Sequence, residues 1–349
     1  MSAQREPAVW FPTVRTGSGS EVFTERLAAA LRKRGLRAEI TWLPLRAEFA
    51  PWSVRVPQPP SWANITHVNT WLHPRFLPRN MLVVATLHHA MHQAELRPYK
   101  GWLRSLYHRY WFVPTERRTL LRADSRVGVS LFAAESARRS LVDRPIEVIH
   151  NGVDVEKFRP PPQRSAHRPL RLLYVGKWAP LKGVDLLAPI MRMLGEGFEL
   201  RYTCGYTALR DYASMPDNMH DLGRLQGADA VVAAMHDADI LLFPSRSEGF
   251  GLVAAEGMAC GLPVIATLGS SLQEVVDDGV TGILCPQDDV RAFAAAIRAL
   301  ASDTRKWMAM SRAARQRAVE VLDQNLMVDA YVRLYNKCLK HGRFHAGIA

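Results

Sequence analysis

Glu248 and Glu256 stand in a Glu-x7-Glu spacing across the loop Glu248-Gly249-Phe250-Gly251, which follows the apolar run Ile240-Leu241-Leu242-Phe243. The passage reads as strand, loop, helix and then a second strand over 264–266. Where a helix begins, its first backbone N–H groups and the positive end of its dipole face an anion, and glycine lets a phosphate approach the backbone. Glu256 falls two turns after Glu248 if the chain is helical from about Gly251, and a carboxylate there can accept hydrogen bonds from two vicinal hydroxyls, as on a ribose. A second basic loop, Gly176-Lys177-Trp178-Ala179-Pro180-Leu181-Lys182-Gly183, also follows an apolar run and opens a helix. Lys177 and Lys182 are point charges suited to a diphosphate of variable geometry. The plainer alternatives are an ordinary strand–turn–helix with a solvated Glu248 and a structural Glu256, and a loop with two exposed lysines.

The elements that must hold these loops follow from patterning. Short apolar runs alternate with amphipathic stretches, the signature of α/β architecture with parallel sheets. Strands are expected at 8–11, 38–43, 66–71, 81–87, 126–129 and 145–149, with a helix over 21–34 closed by Gly35 and another over 102–123 with a break or new start at Pro114. The segment Phe158–Pro169 is proline-rich and polar and reads as a stiff linker. After it the pattern restarts, with strands at 170–175, 198–204, 240–243, 264–266 and 282–284, and the chain from Ser302 reads as helical. A length of 349 residues suits two domains.

With these loops, the turn Val148-Ile149-His150-Asn151-Gly152-Val153-Asp154 and the stretch Glu274–Leu284 in view, the chain resembles the family 4 glycosyltransferases. The resemblance covers most of the chain and is strongest over 145–300. It implies retaining enzymes of the GT-B fold: two facing Rossmann-like domains, here 1–163 on the acceptor side and 164–324 on the nucleotide-sugar side, with a C-terminal helix over 325–349 returning to the N-terminal domain. It implies that Glu256 binds the nucleotide ribose and that Glu248 sits by the donor sugar. The amides of Phe250, Gly251 and Leu252 would lie near the sugar and distal phosphate, and Lys177 and Lys182 would neutralise the diphosphate. The family usually carries Arg at the position of Lys177. The N-terminal Gly-Gly-x-Glu of the family is here Ser18-Gly19-Ser20-Glu21, so Gly19 is the glycine left to approach a phosphate.

The resemblance also implies a histidine near the donor sugar after the fourth strand. His88 matches best, but His89 stands where an acidic residue is common, so the two could exchange roles. A lone histidine at a strand end is otherwise more often structural. Together with His92 the two make three histidines within five residues, but no carboxylate or cysteine cluster accompanies them to suggest a metal. Asp237-Ala238-Asp239 reads as the end of a helix and the start of a strand. No metal or other cofactor is therefore expected, the substrate being a UDP-, GDP- or ADP-sugar. Fixed cations and amides aimed at the charge that develops on the departing diphosphate would lower the barrier. His88, Glu248 and Lys182 are the expected catalytic groups.

Charge and composition bear on partners. Residues 1–163 hold 24 Lys+Arg against 13 Asp+Glu, so nearly all of the net +12 lies in the first half. A one-sided basic surface suits an anionic partner. Lys100-Gly101-Trp102-Leu103-Arg104-Ser105-Leu106-Tyr107-His108-Arg109-Tyr110-Trp111-Phe112 alternates bases with amphipathic aromatics. On a helix Leu103, Leu106, Tyr107 and Tyr110 would share a face, which either meets an anionic membrane or packs into the N-terminal core. A glycolipid, lipopolysaccharide or polysaccharide precursor is the acceptor that fits, on a cytoplasmic protein peripheral to the inner face of the cell membrane. The N-terminus lacks the pattern of a secretory signal, and Cys204, Cys260, Cys285 and Cys338 are expected to be reduced thiols. Rival readings are weaker. Gly17-Ser18-Gly19 with Glu39 resembles part of a dinucleotide fingerprint, but Val22 replaces its third glycine. No nucleic-acid motif is present. A sugar-nucleotide epimerase of the same fold and an inactive membrane-binding family member remain alternatives.

Overall fold

The computed structural model describes residues 6–17, 19–89, 99, 101–204 and 215–341. Ser18, His92 and Lys100 lie outside the described residues. Two compact units are present, one formed by 1–151 with 325–349 and the other by 152–324.

The first unit is built on a parallel sheet of β1 Ala8–Val14, β2 Arg37–Leu43, β3 Ile65–Asn69, β4 Leu82–Leu87, β5 Ser125–Gly128 and β6 Glu147–Val148, in the order β2-β1-β3-β4-β5-β6. Its helices are α1 Gly19–Lys33, α2 Arg46–Phe49, α3 Trp102–Tyr107, α4 Val113–Arg122 and α5 Leu131–Ser140. The second unit has β7 Leu170–Tyr174, β8 Phe198–Tyr202, β9 Met219–Asp221, β10 Ile240–Phe243, β11 Val264–Thr267 and β12 Gly282–Cys285, all parallel, in the order β12-β11-β10-β7-β8-β9. Its helices are α6 Val184–Leu194, α7 Gly227–His236, α8 Leu252–Ala259, α9 Leu272–Val275, α10 Val290–Ser302 and α11 Thr304–Val321. The last helix, α12 Gln324–His341, packs on the first unit: Val328, Tyr331 and Tyr335 are fully buried against Phe11, Phe23 and Leu27. Burying an aromatic of this size contributes roughly 2–3 kcal/mol.

In each sheet the strand order reverses direction once. In open α/β sheets the crevice beyond the strand C-termini at that point is where ligands bind. The reversal falls between β1 and β3 in the first unit and between β7 and β10 in the second.

Several details differ from the sequence reading. β1 runs through Pro12 to Val14. It pairs with β3 only at Val9 and Trp10, so one flank of Pro12 carries no ladder for proline to interrupt. β9 is three residues long and carries too little pattern to be seen in sequence. The helix over 102–122 is continuous: five residues, His108–Phe112, widen into a π-helical turn just before Pro114. That turn accommodates the missing N–H and the ring of Pro114 without ending the helix. The proline-rich segment belongs to the second unit. Phe158 is buried, and the Arg164 guanidinium donates to the carbonyls of Ala238 and Cys260 at 2.9 and 2.8 Å. His167 donates its backbone N–H to Asp239, 3.1 Å from Oδ2.

Candidate functional site

The loops after β7 and β10 flank the switch point of the second sheet, and both carry residues singled out by their chemistry. Pro180–Lys182 forms a single 3-10 turn, and Gly183 after it takes φ +70. A side chain on Gly183 would put a Cβ 2.0 Å from the Pro244 carbonyl oxygen, so glycine is what lets the β7 loop lie against the backbone leaving β10. Leu181 O accepts from Arg246 N at 3.0 Å, a second direct tie between the loops. Their meeting brings Lys182 Nζ to 2.6 Å from Glu248 Oε1. Both side chains are largely buried, at 25% and 12% exposed. Residues 66 positions apart thus form one charged pair at the sheet's switch point.

Arg246, which sequence reasoning passed over, holds this arrangement. Its guanidinium bonds both oxygens of Asp185 at 2.7 Å through a two-pronged contact. Its Nε donates to Asp288 Oδ1 at 2.7 Å, and Nη1 also reaches the Pro180 carbonyl. One side chain therefore binds the β7 loop, the start of α6 and the loop after β12. Burial and the Arg246 hydrogen bonds act oppositely on Asp185, and the bonds prevail, lowering its pKa. Ser271 Oγ donates to the Glu248 carbonyl at 3.0 Å and fixes that loop from α9's side.

α8 begins immediately after Gly251, which takes φ +93 and provides no side-chain cap. A Cβ there would come within 2.8 Å of Leu272 Cδ2. The first turn of α8 thus offers backbone amides beside the Lys182–Glu248 pair. Phe250 is buried, Leu252 opens the helix, and Glu256 lies buried one turn along it. Lys177 is exposed, with its carbonyl accepting from Tyr174 Oη at 3.1 Å. Asp237 and Asp239 are engaged structurally: Asp237 pairs with Arg171 and Arg201, and buried Asp239 receives the backbone N–H of Arg171 at 2.8 Å.

In the first unit, His88 follows β4 and Asn69 ends the adjacent β3. His88 Nε2 lies 2.7 Å from Asn69 Oδ1, and Phe23 of α1 meets the imidazole edge-on at 4.7 Å between centroids. Burial lowers the His88 pKa to about 3, so the ring is neutral at physiological pH. His89 is half-buried beside it. Behind His88, His67 Nδ1 bonds Tyr335 Oη and Nε2 bonds Thr86 Oγ1, each at 2.7 Å, which seats α12 on β3 and β4. Gly19 opens α1, and the space where its side chain would lie is open. The amides of Thr16 and Gly17 in the same loop are bound at 2.8 and 2.7 Å by Glu21 Oε2.

The profile described as "Glycosyl transferases group 1" matches residues 169–303, and that of "Glycosyltransferase Family 4" matches 62–157. The chain belongs to glycosyltransferase family 4. A D-inositol 3-phosphate glycosyltransferase of Kribbella flavida is 34% identical over 54% of this chain and 49% of its own length. A glycogen synthase of Mycobacterium tuberculosis is 29% identical over 79% of this chain and 69% of its own. The chain spans about half the length of the inositol phosphate glycosyltransferases it matches. Among solved structures, sucrose-phosphate synthase from Thermosynechococcus elongatus has a TM-score of 0.79 at 19% identity, covering 96% of this chain and 100% of that one. Anabaena HepE, solved with UDP and glucose, has a TM-score of 0.74 at 16% identity, covering 95% of this chain and 100% of that one. By their likeness to these solved structures, the two parallel sheets are the GT-B fold.

Proposed function

We propose that this protein is a retaining glycosyltransferase that moves a sugar from a nucleoside diphosphate sugar to a saccharide or lipid-linked acceptor. The observation that carries this reading is the Lys182–Glu248 pair at the switch point of the second sheet, with Glu248 three residues before Gly251, the N-cap of α8. Breaking a sugar–phosphate bond leaves negative charge on a diphosphate. The ammonium of Lys182, the more exposed Lys177 and the amides of Phe250, Gly251 and Leu252 are the groups that would meet it, and preorganised charge of this kind lowers the barrier without a later reorganisation. Glu248, released from Lys182 as phosphate takes the ammonium, would accept hydrogen bonds from donor-sugar hydroxyls. Glu256 would hold the two ribose hydroxyls. His88, neutral and fixed by Asn69, would act as a hydrogen-bonding group toward the sugar rather than as a cation. Gly19 is the N-terminal candidate for phosphate approach.

UDP, GDP and ADP are the nucleotides to test as donors. The HepE complex with UDP and glucose supports a UDP-sugar first. No cofactor takes part in this reading, and Asp237 and Asp239 are already committed to arginines and backbone. The acceptor class is a glycolipid, lipopolysaccharide or polysaccharide precursor at the cytoplasmic face of a membrane, approached through the basic N-terminal half.

Substitution tests the donor site. Glu256→Ala and Lys182→Ala should each lower donor kcat/KM by about 10–100-fold while the protein stays folded, since a charge-assisted contact is worth about 1.5–3 kcal/mol. Turnover should persist in excess chelator. Wild-type kinetics in either folded variant would remove the assignment, and turnover of the donor without any acceptor would favour epimerisation.

A further inference from the structure

In the first unit, α3 has no buried residue. Of the residues expected on its apolar face, Leu103 and Tyr110 are 65% and 68% exposed, and Leu106 is exposed as well. Tyr107 instead turns toward α2, donating its hydroxyl to Glu48 Oε1 at 3.1 Å. The packed alternative for this face is therefore not what the fold adopts. Trp102, at its start, is 71% exposed.

This helix is not alone. Trp111 Nε1 donates to the Glu48 carbonyl at 2.8 Å, and its ring meets Trp52 edge-on at 6.0 Å. These contacts join the helix to the turn at 45–53, which adds exposed Leu45, Phe49 and Trp52. Large apolar side chains exposed singly are ordinary, but an adjoining set rich in tryptophan marks a surface that is covered in use. Arg46, Arg104 and Arg109 are exposed in the same two segments, and Arg55 is exposed two residues past the turn. Glu48 is their only acidic residue, and its carboxylate is taken by Tyr107.

We infer that this face of the first unit docks on an anionic lipid surface. Tryptophan and tyrosine place an apolar body in the acyl boundary and a polar edge at the headgroups, while arginines pair with lipid phosphates. Among the described residues no helix is long and apolar enough to cross a membrane, so this contact is interfacial. A second copy is the poorer occupant, because a two-fold contact would set like-charged arginine rims against each other. The face also adjoins the substrate end of the sheet: Trp111 stacks on His73, in the loop after β3, at 5.9 Å between centroids. A lipid-borne acceptor would thus be presented beside the strand-end loops that carry His88. In that respect the inference rests on the reading above, but docking itself does not.

The test is co-sedimentation with phosphatidylcholine vesicles with and without phosphatidylglycerol, at low and high salt. The full chain should partition onto the anionic vesicles, more weakly at high salt. Each of Arg104→Ala and Arg109→Ala should weaken that partition about fivefold. The triple change Trp52→Ser, Trp102→Ser and Tyr110→Ser should abolish it, while thermal midpoint and UDP binding stay at wild-type values. Equal binding to neutral and anionic vesicles, binding to neither, or self-association that the triple change abolishes would overturn the inference. A protein that docks but transfers no sugar would overturn the reading of function and leave the docking face standing.

Discussion

Lys182 and Glu248 meet because Arg246 draws their loops together, through bonds to Asp185, Asp288 and the Pro180 carbonyl. Lysine can replace its charge but not its planar two-pronged contact with Asp185. Arg246→Lys should therefore raise the donor KM and lower kcat/KM by about tenfold or more, with a smaller effect on thermal stability, since Asp185 and Asp288 remain partly solvated. An unchanged donor KM in the folded variant would remove Arg246 from the positioning of the pair. The glutamates and lysines were legible in sequence because their spacing is local and their chemistry distinctive. Arg246 was not, although it lies two residues before Glu248, because its acidic partners are 42 and 61 positions away. Asn69 was hidden for the same reason: its bond to His88 crosses between neighbouring strands.

Among the elements, α4 carries a feature with a measurable pH signature. Glu116 is buried and accepts from Thr70 Oγ1 at 2.7 Å, next to the end of β3. Burial raises its pKa from 4.5 to about 8, against the opposing effect of the Thr70 bond. The folded state thus holds this proton more tightly than the unfolded chain. Its stabilising contribution is full below about pH 4.5, declines as pH rises, and is lost above about pH 8. Glu116→Gln retains a carbonyl for Thr70 and cannot ionise. From pH 5 to pH 8 the wild type should lose on the order of a few kcal/mol relative to the variant. Parallel curves of thermal midpoint against pH for the two proteins would contradict this. Most strands and helices were readable from apolar runs and glycine stops, because period and punctuation are local. β9 was too short to show a period, and the π turn before Pro114 depends on neighbours that a proline rule does not see.

Across the whole molecule, the two units differ in how the chain makes them. The second is continuous, 152–324, and its core is closed by its own α6, α10 and α11. The first needs both ends of the chain: Met327, Val328, Tyr331, Leu334 and Tyr335 of α12 complete the core made by α1 and the strands. Tyr335 and Tyr331 also reach His67 and Thr86, so removing α12 would leave an apolar hole with buried polar groups along its wall. Deleting even one large buried aromatic costs about 3–5 kcal/mol, comparable with the whole stability of a small domain. The segment 152–324 expressed alone should therefore fold cooperatively and, if it holds the donor nucleotide, bind UDP with affinity near that of the full chain. Residues 1–151 alone should not give a cooperative melt until a peptide spanning 324–341 is added. Folding of 1–151 without that peptide, with a thermal midpoint unaffected by its addition, would show that α12 covers a core already complete. Failure of 152–324 to fold by itself would show that the second unit depends on contacts beyond its own core.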